Sequence, residues 1–364
     1  MDKIFWAQLQ MIPGVGSAQI RKLMDFFDSG EAVWKSPMEQ LRTSGCLDRK
    51  GLQAFEAFRR QPAVDAQALA KKWERSGVKL CTLQEAQYPS LLKSIYNPPA
   101  VLFYRGELEL ASRIIAVVGS RRPSAYGCSA AEKIAEELAK QSVVVVSGAA
   151  RGIDTAAHRG ALRAGRTIAV LGCGIDYVYP PENKILLQEI AANGAVISEY
   201  PPGTVPQPGY FPARNRIISG LASGTIVVEA AGKSGALITA EMALNEGRDV
   251  FAVPGSIYSS QSVGCNRLIQ QGAKLICSAA DVMEEYTWQQ QDCLKTDKLC
   301  LSAEEAAVYA VLSCERPVPL DEIICKLRSD VSNIVFILLQ MQLRGLVTEY
   351  APRQYIRAVK EDAL

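Results

Sequence analysis

Between residues 211 and 239 the chain reads FPARNRIISGLASGTIVVEAAGKSGALIT, which sets Arg214, Asn215, Arg216 and Lys233 among glycines and beside the aromatic Phe211. Arginine forks always carry charge and match phosphate oxygens, an aromatic face suits a base, and the small residues around Ser234 let backbone amides approach an anion. The same string fits a helix that turns its arginines to water ahead of a buried strand. Taken alone, the motif leaves both readings open.

Two earlier segments repeat the chemistry. The apolar run at 114–118 has strand length and ends in Gly119-Ser120-Arg121-Arg122-Pro123; Tyr126 and Gly127 follow, then a helical pattern over 129–140. A strand, a glycine turn and a helix N-terminus form an anion site, with free amides and the positive dipole end facing the ligand. Gly119 would remove the Cβ that blocks its approach. The spacing from Gly119 to Gly127 is too long for the dinucleotide fingerprint, so no nicotinamide cofactor is expected. The second unit has valines at 143–146, then Ser147-Gly148-Ala149-Ala150-Arg151-Gly152-Ile153-Asp154 and an alanine-rich helix. Asp154 is a candidate N-cap. His158, the only histidine of the chain, suits a local hydrogen bond better than catalysis or metal binding, since no second histidine can share a metal.

Charge must act locally. With 40 Lys plus Arg against 38 Asp plus Glu the net charge is +2, so an anionic polymer would be held by a patch and not by a global field. Arg121, Arg122, Arg151, Arg214, Arg216 and Lys233 all follow strand ends or open helices, and in a parallel sheet most of them should gather along one edge.

In their order, GSRRPSAYG at 119–127, SGAARGIDTAAHRGAL at 147–162, GCGIDYVYPPEN at 172–183, FPARNRIISGLASGTIVVEA at 211–230 and KSGALITAEMAL at 233–244 resemble the bacterial DNA processing protein A (DprA) family, also called Smf. The resemblance covers at least residues 85–280. It implies an extended Rossmann-like domain that binds single-stranded DNA without cutting it and helps load the RecA recombinase, notably in natural transformation. It also implies a homodimer formed through the end of that domain, which makes Leu268 and Ile269 candidate contacts; both could equally pack on their own sheet. Arg121, Phe211, Arg214, Asn215 and Arg216 match the family's motif positions. Where the family often has a basic residue a few positions before the phenylalanine, this chain has Gln207-Pro208.

The elements that must position these residues form an α/β fold: an extended Rossmann-like parallel sheet over 79–286, with strands near 114–118, 143–147, 168–172, 196–198, 225–229, 249–253 and 273–276. Residues 1–78 read as a small helical domain. Ile12-Pro13-Gly14-Val15-Gly16 resembles a helix-hairpin-helix turn, and the family often has a sterile-alpha-motif-like domain there. A polar, glutamine-rich linker spans 287–301. Residues 302–364 follow the order of a winged helix, with which the family often ends, and Val335, Leu338, Leu339 and Leu343 are expected in its core. Only Arg328, Arg344, Arg353 and Arg357 would offer that unit much for DNA.

An enzyme is the rival reading. Gly224-Thr225 and Glu229 resemble imperfectly the glycine-rich and glutamate signature of nucleotide phosphoribohydrolases; Glu229 is more simply a residue that orients loop amides. No nucleophile with a base partner is visible. The ten cysteines are scattered with no CxxC pair, so zinc is not expected and the thiols should be reduced. No run of membrane-spanning length occurs and the N-terminus lacks signal-peptide features, so a soluble, cytoplasmic protein is expected.

Overall fold

The computed structural model describes residues 2–61, 65–108, 113–286, 288, 302–313, 317–327, 329–343 and 346–357. It contains two compact units, Met1–Gln291 and Asp292–Leu364.

The first unit is built on a nine-stranded sheet: β1 (Lys79–Thr82), β2 (Val101–Gly106), β3 (Ile114–Gly119), β4 (Val144–Ser147), β5 (Thr167–Leu171), β6 (Ala195–Ser198), β7 (Gly224–Val228), β8 (Asp249–Ala252) and β9 (Lys274–Leu275). Their order across the sheet is β1-β2-β6-β5-β4-β3-β7-β8-β9. β3 to β9 pair in parallel. β1 and β2 extend one edge as antiparallel strands. All seven expected strands are present; β1 and β2 are additions. Because the chain runs β3-β4-β5-β6 in one direction and β7-β8-β9 in the other, the sheet reverses between β3 and β7. Crossover loops diverge there and leave a crevice at the carboxyl ends of the strands.

Continuous apolar strands need cover on both faces. Ile114, Ala116 and Val118 of β3 join one core with Ile217, Ile218 and Leu221 of helix Tyr210–Leu221 and Ala236, Ala240 and Ala243 of helix Gly235–Asn245. Ile115 and Val117 turn the other way, onto helices Ala125–Lys140, Ile153–Leu162 and Ala279–Glu285.

Among the described residues six helices precede β1. They share one apolar cluster with the sheet's β1–β2 end, where Trp73 meets Phe103 edge to face at 5.5 Å. The turn between helices Asp2–Gln10 and Ser17–Phe26 buries Ile12 and Val15, while Gly14 takes a left-handed φ of +82°. Among the described residues no helix is long and apolar enough to cross a membrane.

The second unit orders helix Ala303–Val311, β10 (Val318–Pro319), helices Leu320–Leu327 and Val331–Leu343, and the hairpin β11 (Val347–Ala351) and β12 (Gln354–Arg357). Ser302 and Glu305 close a capping box on the first helix. Leu338 is buried as expected, but Val335 is 40% and Leu339 53% exposed. The helix turns its Ile334, Ile337, Leu338 and Met341 face inward, which puts those two on the opposite side. Arg328, Arg344, nearly all of the expected linker and the side chains of Leu343 and Arg357 lie outside the described residues.

Candidate nucleic-acid interface

The crevice at the β3/β7 reversal is an open cleft of about 750 Å³. Gly119, Ser120, Arg121 and Arg122 enter it from the end of β3, Lys233 and Ser234 from the loop after β7, and Phe211, Arg214 and Asn215 from helix Tyr210–Leu221. A smaller cavity adjoins it, lined by Gly148 and Arg151 together with Arg121, Tyr179, Phe211 and Arg214.

The β3 loop is held from β7. The Ser120 amide donates to the Glu229 carbonyl at 2.8 Å, and the Glu229 carboxylate accepts the Ser124 amide at 2.8 Å and the Ser124 hydroxyl. Glu229 takes a left-handed φ of +53° to do this. Such a backbone persists in a side-chain-bearing residue only where surrounding contacts fix it. Ser124 caps the following helix through the Gly127 amide, so that helix begins at Ala125, earlier than its apolar pattern. Gly119 has a packing reason: a Cβ there would lie 1.9 Å from the Val228 carbonyl oxygen.

The predicted arginines divide. Arg121 and Arg122 are exposed, and so is Lys233; none of the three pairs with a carboxylate among the described residues. The Arg121 guanidinium sits 5.5 Å from the centre of the Phe211 ring, and Tyr179 meets the same ring at 5.2 Å. Arg214 instead turns inward and is 3% exposed. It donates to the Gly148 carbonyl at 2.6 Å and to that of Val170. Gly148 must be small for this, since a Cβ would lie 2.3 Å from the guanidinium. Burial pulls Arg214 down to about 10, with the Asp154 charge opposing, so it is charged at neutral pH. Arg216 commits to Glu199 at 2.6 Å, and the same carboxylate oxygen accepts the Ser17 hydroxyl at 2.6 Å. Its charge ties the cleft's helix to the N-terminal helices. Arg151 forms an exposed ion pair with Glu182.

Asp154 is not the N-cap. Gly152, at φ +81°, precedes helix Ile153–Leu162, and Asp154 in its first turn accepts the Ala150 amide at 3.3 Å. Burial raises its carboxyl, and the Arg214 charge counters that. His158 is fully buried, with Nδ1 2.7 Å from the Thr167 hydroxyl. Burial, then the Arg214 charge, lowers it to about 3; it is a neutral packing residue. Ser147 is also buried and donates to the Val117 carbonyl at 2.6 Å. Tyr126 is half exposed beside the cleft, its hydroxyl donating to the Pro254 carbonyl at 2.9 Å.

Sequence reasoning missed Tyr179 and Gln261, which both line the cleft. Tyr179 lay within the motif at 172–183 and three residues from Asp176; its aromatic type was the available signal. Gln261 accepts the Ser120 hydroxyl at 3.1 Å, a contact across 141 residues with no local trace.

The arrangement is therefore a groove at a topological switch point, where cations without a carboxylate partner among the described residues stand beside a tilted aromatic pair. Residues 79–287 match the family model of DNA recombination-mediator protein A. The chain belongs to that family. It is 44% identical over 276 residues to DNA processing protein DprA of Streptococcus pneumoniae, covering 75% of this chain and 94% of that protein. It is 48% identical over 216 residues to DprA of Bacillus subtilis, covering 58% and 73% respectively. Among solved structures, DNA processing protein A from Streptococcus pneumoniae superposes with a TM-score of 0.68 at 42% identity, over 78% of this chain and 97% of that one. A structure describing the single-stranded DNA binding mode of the Helicobacter pylori protein gives 0.53 at 32% identity, over 57% and 96%.

Proposed function

We propose that this recombination mediator binds single-stranded DNA along the β3/β7 cleft, protects it and passes it to RecA in recombination or natural transformation, without catalysis. The supporting observation is the Arg121 guanidinium over Phe211 beside Arg122 and Lys233, three exposed cations without carboxylate partners among the described residues. Phosphates take the charges and a base takes the aromatic pair Phe211–Tyr179. Arg214 and Arg216 act by holding the cleft's walls, and Arg151 joins in once a phosphate draws it from Glu182. Glu229 is engaged by Ser124, which ties up the glutamate on which the phosphoribohydrolase reading rests.

The protein works as a homodimer through the β9 end of the sheet. Leu268 and Ile269 pack partly onto their own core, so the contact falls on Val263 and Leu275, 49% and 46% exposed at the edge of helix Val263–Gln270 and on edge strand β9. The second unit is a winged helix, supported by its helix–strand–helix–helix–hairpin order.

Titration of labelled single-stranded oligonucleotide at two salt concentrations tests the reading. Affinity should fall steeply with salt. Arg121→Ala should weaken every sequence alike and lower the salt slope by about one. Equal competition by fully paired duplex overturns the proposal.

A further inference from the structure

The loop between β8 and helix Val263–Gln270 presents two adjacent apolar side chains to water, Ile257 at 80% exposure and Tyr258 at 92%. Exposed pairs of this kind cost solubility and need a reason when the backbone beneath them is fixed. Here it is fixed at both ends. Asn266 brackets Gly255, accepting its amide at 3.3 Å and donating to its carbonyl at 3.0 Å. Two successive turns close Ser256 to Ser259 and Ser259 to Ser262, each at 3.0 Å, and the Ser256 hydroxyl accepts the Tyr258 amide at 3.2 Å. Ser262 itself is buried against Gly255, where a Cβ would lie 2.2 Å from its hydroxyl.

The same loop is fastened to the cleft twice. Gln261 lines the cleft and accepts the Ser120 hydroxyl at 3.1 Å, next to Arg121. Pro254 accepts the hydroxyl of Tyr126, itself 54% exposed, from the helix that follows the Arg121–Arg122 turn. Tyr126 and Tyr258 thus stand on the β8 side of the cations, while Phe211 and Tyr179 stand on the β5 side. No aromatic residue lies in the segments 119–123 and 231–235 between them; their exposed charges are Arg121, Arg122 and Lys233.

We propose that Tyr258, backed by Ile257, is a second base-stacking platform, so that one strand crosses the cations with a base held at each side. This rests on the cleft being the single-stranded DNA site. The occupant is the continuation of the bound strand: the loop is continuous with the cleft through Gln261, and a π face accepts any base without reading its edge. Two platforms set a minimum length for tight binding, which a single Phe211 site would not.

The test compares full-length wild type, Tyr258→Ala, Tyr258→Phe and Arg121→Ala on a series of oligothymidylates, with oligomeric state measured by light scattering. Tyr258→Ala should weaken long oligomers about ten-fold, as loss of one stacked base does, and leave the shortest bound oligomers unchanged. Tyr258→Phe should bind as wild type. A 2-aminopurine moved along the strand should be quenched at two separated positions in wild type and at one in Tyr258→Ala. If Arg121→Ala does not weaken binding, the cleft reading itself fails. If Arg121→Ala weakens it and Tyr258→Ala does not at any length, only the second platform is overturned. A change from dimer to monomer in Tyr258→Ala, with short-oligomer affinity lost as well, makes the loop a subunit contact and likewise overturns it.

Discussion

Lowering the pH from 7 to 5 should destabilise the first unit through one residue, His158. The imidazole is buried beside Thr167 and near the Arg214 charge, and its folded value falls to about 3 from an ordinary 6.5. Between those values the unfolded chain binds the extra proton, so stability rises with pH. The contribution is fully present above about 6.5 and is lost as the pH falls toward 3. At pH 5 the unfolded histidine is almost wholly protonated while the folded one is not, which costs about 2 kcal/mol relative to pH 7. Because the chain has a single histidine, its ring signals in an NMR titration are unambiguous and should stay neutral down to about pH 4. Urea unfolding at the two pH values should show the extra loss in wild type and not in His158→Gln, with carboxylate effects common to both. A midpoint near 6.5, or the same acid loss in both proteins, would refute the argument that burial holds this ring neutral.

Gly148→Ala should destabilise by about 2–4 kcal/mol, seen in urea midpoints, because its Cβ meets the Arg214 guanidinium at 2.3 Å and would displace a charged donor from two buried carbonyls. Val263→Arg should yield a folded monomer by light scattering, whereas Leu268→Arg, packed partly inward, should lose stability first; a stable monomer from Leu268→Arg alone would reverse that assignment. Nucleoside monophosphates should survive incubation with the protein. Glu229→Gln should instead loosen the Ser120–Ser124 turn, giving faster amide exchange there.

The sequence disclosed β3, β4 and β5 because each carried β-branched residues and ended at a glycine, Gly119, Gly148 and Gly172. β1 and β2 are antiparallel and joined through a short helix, outside the repeating strand–glycine–helix pattern, although β2 ends at Gly106 after an apolar run at 101–104. The cleft's loops were legible for the same reason as the strands. The fates of Arg214 and Arg216 were not. A charged side chain in a helix advertises solvent, and what overrode that preference here was a pair of waiting carbonyls at Gly148 and Val170 and a carboxylate at Glu199. Those partners lie up to 66 residues away. Asp154 was misread as a cap because the glycine at 152, with its left-handed φ, already starts the helix.

The Ser120 amide reaches the Glu229 carbonyl, and Glu229 in turn holds Ser124, across 105 residues or more. The Arg121 loop therefore takes part of its shape from a distant strand, in addition to the local bonds of its Ser120 and Ser124 hydroxyls. During synthesis the stretch through β6 leaves the ribosome first, and the loop lacks its Glu229 anchors until β7 emerges and docks beside β3. On the proposed function, a nascent chain shorter than about 230 residues plus the length in the exit tunnel lacks the β7 anchor of the Arg121 loop, and Lys233 and Gln261 join the cleft only after it. In a truncation series, chains ending before β7 should show faster amide exchange at Ser120–Ser124 than chains ending after Gln261.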